Sequence, residues 1–216
     1  MDAKASVKVG PFSRGGKSRV PTVASDHDFE ALARVTPVGI ILPASNELFV
    51  YGITSKVTSD CLVDCLERWW QSVRGSFATI KTLVINLDNG PENHSRRTQF
   101  VQRLLNFASD YAIKVRLAYY PPYHSKYNAV ERCWGILENH WNGALLDTIE
   151  AVMAYAGTMT WKGRRPVVEL VTTSYAIGVK LSKEAMKGVE AQLTRHPTLG
   201  KWFLDIAPTA VSLQAS

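Results

Sequence analysis

A chain of 216 residues is ample for one domain with a full hydrophobic core and short for two, and 46% hydrophobic with 20% charged residues excludes a disordered body. A formal charge of +6 and a pI near 9.3 favour polyanionic partners, because basic side chains on nucleic acid release condensed counterions. No run approaches 18 apolar residues and no basic segment leads into an apolar stretch at the start, so the sequence shows neither a membrane span nor a signal peptide and reads as cytoplasmic.

Residues 10 to 37 hold Gly10, Pro11, Gly15, Gly16, Pro21 and Pro37 among Ser and Arg, the composition of a long ordered loop or arm. Val38–Leu42 and Leu48–Ile53 flank Pro43–Glu47 and predict a β-hairpin. From Thr58 to Val73, Leu62, Leu66, Trp69 and Val73 recur at helical spacing, with Cys61 and Cys65 beside them. These cysteines and Cys133 lack a framework spacing or a histidine cluster, so they read as buried thiols. Lys81–Leu87 is a β-rich run stopped by Asn89-Gly90-Pro91, and Arg97–Tyr111 carries Phe100, Leu104, Phe107 and Tyr111 on one stripe. Ile113–Tyr119 predicts the next strand. Ser125–Trp141 predicts a helix buried through Val130, Trp134, Leu137 and Trp141, and Asp147–Thr160 a further one before the basic turn Trp161–Pro166. Ser182–Leu193 starts as an N-capped helix, while the segments around Arg195–Gly200 and after Asp205 show no period.

The chemistry concentrates at two places. Asp88 ends an apolar strand, and Glu131 falls in the first turns of a helix. Carboxylates from separate rigid elements are what two divalent cations about 3.5–4 Å apart require. Asp2 is a third candidate. Each has a plainer reading. Asp88-Asn-Gly is turn chemistry, Asn128-Ala-Val-Glu131 fits a capping box, and an acid near a terminus is ordinarily solvated. Basic residues cluster at Lys4, Lys8, Arg14, Lys17 and Arg19, at Arg96 and Arg97, and at Lys162, Arg164 and Arg165. Each group reads equally as a phosphate-contacting or a solvated surface. Gly16-Lys17-Ser18 lacks the earlier glycine and the strand of a P-loop, which excludes nucleotide binding of that type.

Asp2-x-Lys followed by Val-Lys-Val-Gly-Pro-Phe, Asp88-Asn-Gly with Asn93 and Arg96, Tyr120-Pro-Pro-Tyr-His-Ser-Lys-Tyr-Asn-x-x-Glu131, Trp141-Asn-Gly and Thr194-Arg-His together resemble the ISAzo-type insertion-sequence transposases, the Rhodopirellula-type transposase DDE domain. The resemblance runs from Asp2 to about Trp202. It implies an α/β, ribonuclease H-like mixed sheet flanked by helices, with the element order hairpin, helix, strand, helix, strand, helix. It also implies cleavage of insertion-sequence ends and their joining to target DNA. Asp2, Asp88 and Glu131 would hold two Mg²⁺ or Mn²⁺ ions. Lys17, Arg19, Arg96, Lys126, Asn128, Arg132, Arg164 and Arg165 would contact DNA, with Lys126, Asn128 and Arg132 also placed to order the Glu131 helix. Partners would be transposon ends, target DNA and further copies of the chain in a synaptic complex, in the bacterial cytoplasm near the nucleoid, with no membrane. The chain departs from the family in two respects. Little precedes Asp2 where a central first strand and a helix-turn-helix region are expected, and Asp88-Asn-Gly-Pro-Glu is less glycine-rich than usual. The expectation is a catalytic domain over residues 1–205 with its first strand largely missing, impaired by N-terminal truncation, and a flexible tail over 206–216. A metal-dependent nuclease of the same fold and a non-catalytic DNA-binding remnant are the alternatives.

Overall fold

The computed structural model describes residues 1–18, 21, 23–25, 30–121 and 127–209. They fall into two compact units, Met1–Val57 with Ala129–Tyr175, and Thr58–Asn128 with Ala176–Ser216. Among the described residues no helix is long and apolar enough to cross a membrane.

The first unit is built on a five-stranded sheet. Strands β1 (Asp2–Ala3) and β2 (Val7–Val9) both pair antiparallel with β3 (Ala33–Leu42), which forms the expected hairpin with β4 (Glu47–Ile53). The hairpin turn closes with Asn46 at a φ of 58°, a conformation asparagine tolerates. Strand β3 starts at Ala33, earlier than Val38, so Pro37 lies inside a strand. It is accommodated because β3 changes neighbours there, from β2 at residues 33–35 to β1 at 38–39, and the Lys4 N–H donates to the Pro37 carbonyl at 2.8 Å. Leu48 to Ile53 of β4 are all buried, as a strand covered on both faces requires.

One face of this sheet meets two helices of the same unit. Val35, Leu48 and Val50 pack with Val130, Cys133, Trp134, Leu137 and Trp141 of one helix and with Val152, Ala156 and Met159 of the other. Two glycines set how closely the helices approach. A Cβ on Gly39 would stand 2.7 Å from the Trp134 ring and 2.8 Å from Val130, and one on Gly52 would stand 2.3 Å from the Met153 sulfur. The first helix is Ala129–His140, shorter at its start than the sequence predicts; Ser125 and Lys126 lie outside the described residues, and Tyr127 and Asn128 precede the helix. The second is Ile149–Thr158, N-capped by Thr148, whose hydroxyl accepts the Ala151 N–H at 3.0 Å.

The second unit contains α1 (Ser59–Val73), β5 (Thr82–Leu87), α2 (Thr98–Asp110) and β6 (Lys114–Tyr119), close to their predicted bounds. The two helices of the first unit are therefore α3 and α4 in chain order. There follow β7 (Val167–Val171), a fifth strand parallel to β4 in the first unit, then α5 (Lys183–Glu190), β8 (Leu193–Arg195) and β9 (Phe203–Ile206) in the second. In the second sheet the strand order is β5-β6-β9-β8, parallel between β5 and β6 and antiparallel elsewhere. Leu83, Ile85, Leu87, Val115, Leu117 and Tyr119 point inward in strict alternation with exposed Val84, Asn86 and Arg116. Arg103 of α2 ties to α1 by Nη1 to Asp60 at 2.8 Å and Nη2 to Asp64 at 2.6 Å, and Trp69, Trp70, Phe77, Phe107 and Tyr111 form an aromatic cluster at the ends of these helices. All three cysteines are free and buried, as the sequence suggests, and burial pushes the Cys133 thiol up to about 12.

Across β6 and β9, Asp205 takes a forked pair of bonds from Arg116, at 2.6 Å from Nε and 2.8 Å from Nη2, and a third from Lys114 at 2.6 Å. These bonds, Arg116 foremost, outweigh partial burial and lower the Asp205 carboxyl from 3.8 to about 2. The folded value lies below the unfolded one, so the associated stability is complete above about pH 4 and is lost as pH falls toward 2. The urea midpoint of Asp205→Asn is expected to lie below wild type near neutrality and to converge with it in acid. Packing gives a second test. Gly39→Ala must displace a buried indole and is expected to cost about 1–3 kcal/mol in denaturant unfolding, whereas Gly52→Ala displaces a flexible thioether and is expected to cost less.

Candidate active site

Asp2 is not solvated. It lies in β1 directly opposite Gly39, is 7% exposed, and its Oδ2 accepts the Trp134 Nε1–H at 3.1 Å. Gly39 makes this bond possible, because only a residue without a side chain lets the Trp134 ring lie against β3 beside the aspartate. The same stripe of α3 continues the attachment. Glu138 pairs with Lys4 and accepts the Trp141 Nε1–H at 2.6 Å, and the Trp141 ring carries Lys4 and Arg14 over it at 5.8 and 5.7 Å. Burial alone would raise the Glu138 carboxyl, but the Lys4 and Trp141 bonds outweigh it and hold it below the usual carboxylate value.

Positions 131, 134, 138 and 141 thus follow a 3-4-3 spacing along one helical face, and the last three each touch the N-terminal segment. Glu131 is the remaining member, one turn before the residue that reaches Asp2. It is half-buried, and its carboxylate has no hydrogen-bond or ion-pair partner among the described residues. The capping-box bond back to Asn128 is not formed. Asn128 itself is 2% exposed, immediately ahead of the helix.

The N-terminal arm is ordered along its described part. Gly10 donates to the Leu146 carbonyl and Gly143 to the Gly15 carbonyl, both at 2.8 Å, while the Arg14 guanidinium bonds the Lys8 carbonyl.

Asp88 belongs to the second unit and follows β5. Its Oδ1 accepts the Gly90 N–H at 3.2 Å and the Asn93 Nδ2–H at 2.9 Å, so the turn reading of Asp88-Asn-Gly holds, with Asn89 at a φ of 65°. Those bonds occupy one oxygen. The other has no partner among the described residues, and the residue is exposed. The loop beneath is held firmly. Tyr119 Oη donates to the Asn93 carbonyl at 2.8 Å, burial raising this phenol above its ordinary value, and Glu92 bonds Arg97 Nη2 at 3.0 Å and the Ser59 hydroxyl at 3.0 Å.

The sequence candidates thus divide. Asp2 and Glu131 are in the first unit and Asp88 in the second. Among the described residues no three His, Cys, Asp or Glu side chains gather closely enough to hold a metal ion. Carboxylate oxygens are the donors hard divalent cations take, and Asp88 and Glu131 each keep oxygen without a partner among the described residues, so these donors are of the kind that suits Mg²⁺ or Mn²⁺. Of the basic candidates, Lys17, Arg96, Arg132 and Arg165 are exposed, and Arg164 is exposed with Glu47 at 3.8 Å. Arg19 and Lys126 lie outside the described residues.

Sequence reading found Trp134 only as a core residue. The signal for its polar role was present in the 3-4-3 spacing of two acids and two tryptophans, a pattern that purely apolar packing does not need.

Comparisons with curated proteins and with solved structures gave no match. The model of the Rhodopirellula transposase DDE domain matches residues 1–208, and the mixed α/β build, with two mixed sheets and five helices, agrees with a ribonuclease H-like domain of that kind. The chain belongs to the Rhodopirellula transposase DDE domain family, which makes it a nucleic-acid-processing protein with a transposase role, DNA as its partner and a family habit of using divalent metals.

Proposed function

We propose that this chain cleaves DNA at insertion-sequence ends and transfers the strand to target DNA, with Asp2, Asp88 and Glu131 holding two Mg²⁺ or Mn²⁺ ions and residues 1–205 acting as the catalytic domain. The supporting observation is Glu131: a half-buried carboxylate without a hydrogen-bond or ion-pair partner among the described residues, one helical turn from the tryptophan that bonds a buried Asp2. A carboxylate so placed is a donor of the kind hard divalent cations take. When bound, such ions supply an activated water or 3′-hydroxyl and stabilise the departing 3′ oxygen.

The chain's own contributions are positional. Trp134 fixes the Oδ2 of Asp2 by its indole N–H. Asn93 and the Gly90 N–H fix Oδ1 of Asp88 and leave Oδ2 outward. Asn128, buried ahead of α3, orders the start of the Glu131 helix. Lys17, Arg19, Arg96, Lys126, Arg132, Arg164 and Arg165 neutralise DNA phosphates, and copies of the chain assemble on paired ends.

Labelled duplex carrying an insertion-sequence end should be cut in Mn²⁺, with Asp88→Ala and Glu131→Gln each lowering the rate at least about a hundredfold while leaving DNA affinity within a factor of a few. Hydrolysed products without joined strands would identify a nuclease of the same fold. Binding indifferent to Mn²⁺ and to Asp88→Ala, with no cleavage, would identify a DNA-binding remnant. Trp134→Phe keeps an aromatic ring but removes the donor to Asp2. It is expected to raise the Mn²⁺ concentration for half-maximal cleavage about tenfold, with far-ultraviolet circular dichroism unchanged.

A further inference from the structure

Next to Asp88 the second unit carries a groove that the three acids do not explain. A cavity of about 330 Å³ is lined by Asn89, His94, Ser95, Arg96, Lys201 and Trp202, and a second of about 670 Å³ shares four of these and extends past Arg195 and Glu190. One wall is the loop after β5, and the other is the loop between β8 and β9. Both walls are anchored. Tyr119 gives its backbone N–H to the Trp202 carbonyl and its hydroxyl to the Asn93 carbonyl, each at 2.8 Å, and Asn93 in turn bonds Asp88. Arg195 Nη2 joins the walls through the Ser95 carbonyl at 3.2 Å.

The charges in the groove are unequal in kind. Arg195 is consumed by Glu190 at 2.8 Å, which leaves the only lining carboxylate neutralised. The side chains of Arg96 and Lys201 are exposed and have no hydrogen-bond or ion-pair partner among the described residues. His94 Nδ1 accepts the Arg96 N–H at 3.2 Å, which places the ring proton on Nε2 as a further donor. Burial, then Arg97, holds this histidine below its ordinary value, so the donor is neutral. Trp202 adds a partly exposed aromatic face beside the two cations. Two exposed cations, one neutral N–H donor and one aromatic ring make up the chemistry that grips a single nucleic-acid strand through phosphate and base.

We infer that this groove binds the DNA strand beside the reacting phosphodiester, Arg96 and Lys201 taking consecutive phosphates and Trp202 stacking an unpaired base. The inference rests on Asp88 being a catalytic ligand and extends that reading to residues of the β8–β9 loop. An open strand end suits it better than duplex, since a stacked base pair presents no free face to an indole.

The test is fluorescence anisotropy of the full chain with a fluorescein-labelled single-stranded DNA oligonucleotide over a salt series without divalent metal, so that binding is read apart from cleavage. Arg96→Ala and Lys201→Ala are each expected to reduce the slope of log affinity against log salt by about 0.7. Trp202→Leu should weaken binding about tenfold or more with the slope unchanged, and Trp202→Phe should restore it. Lys81→Ala, which removes an exposed charge at the opposite end of β5 from Asp88, should match wild type. Wild-type slopes in both cation variants, or equal loss in Trp202→Phe and Trp202→Leu at unchanged melting midpoint, would overturn the groove. Absent cleavage with these binding losses intact would reject the catalytic reading and leave the groove standing; Asp88-dependent cleavage with wild-type binding in every groove variant would do the reverse.

Discussion

Burying a carboxylate is costly unless it is bonded, and the first unit is arranged around meeting that cost at Asp2. The bond from Trp134 requires an indole lying flat against β3, which requires glycine at position 39, which in turn sets how closely α3 approaches the sheet. Once that approach is fixed, the next turns of α3 bring Glu138 to Lys4 and Trp141 beneath Lys4 and Arg14. This polar contact works together with the apolar packing of Val130, Cys133, Leu137 and Trp141 to position the helix that carries Glu131. The N-terminal segment and α3 are far apart in sequence and act as one piece.

The second unit solves a different problem. Asp88 is exposed, and exposure removes the packing that immobilises side chains elsewhere. Its fixation comes from a chain of hydrogen bonds running from Asp88 through Asn93 to the buried Tyr119 of β6, backed by the Glu92, Arg97 and Ser59 cluster at the start of α1. The result is a carboxylate with one oxygen committed and the other without a partner among the described residues, set on the end of a parallel strand, where α/β sheets present their ligands. Tyr119 also holds the β8–β9 loop, so the acid and the basic groove beside it share one anchor.

The elements legible in the sequence are those with a repeating apolar period. The hairpin of β3 and β4, α1, β5, α2 and β6 each run long enough for the period to show. Strand β7, Val-Val-Glu-Leu-Val after Pro166, lacks alternation and is defined by parallel pairing with β4, a partner more than a hundred residues earlier. Strands β1, β2, β8 and β9 have two to four residues, too few for any period, and depend on long-range pairing for their existence. Helix α3 starts at Ala129, directly after Asn128, the residue the capping-box pattern marks as the cap, and not at Ser125. The three candidate acids stand out in the sequence through their motifs. Trp134 as a hydrogen-bond donor does not, because its partner lies 132 residues away. Lys201 and Trp202 were hidden likewise in a segment without regular pattern, brought to Asp88 by the β8–β9 turn.

Fold and family together describe a DNA-processing domain of the DDE transposase type, and the chemical account stands on three carboxylates sharing metal. The most direct measurement is localised hydroxyl-radical cleavage of the protein backbone, with Fe²⁺ substituted for the native cation and ascorbate and peroxide added. Breaks next to both Asp88 and Glu131, suppressed together by excess Mg²⁺ and by Asp88→Ala, are the predicted result. Cleavage confined to one of those segments, or insensitive to Mg²⁺, would contradict a shared metal site.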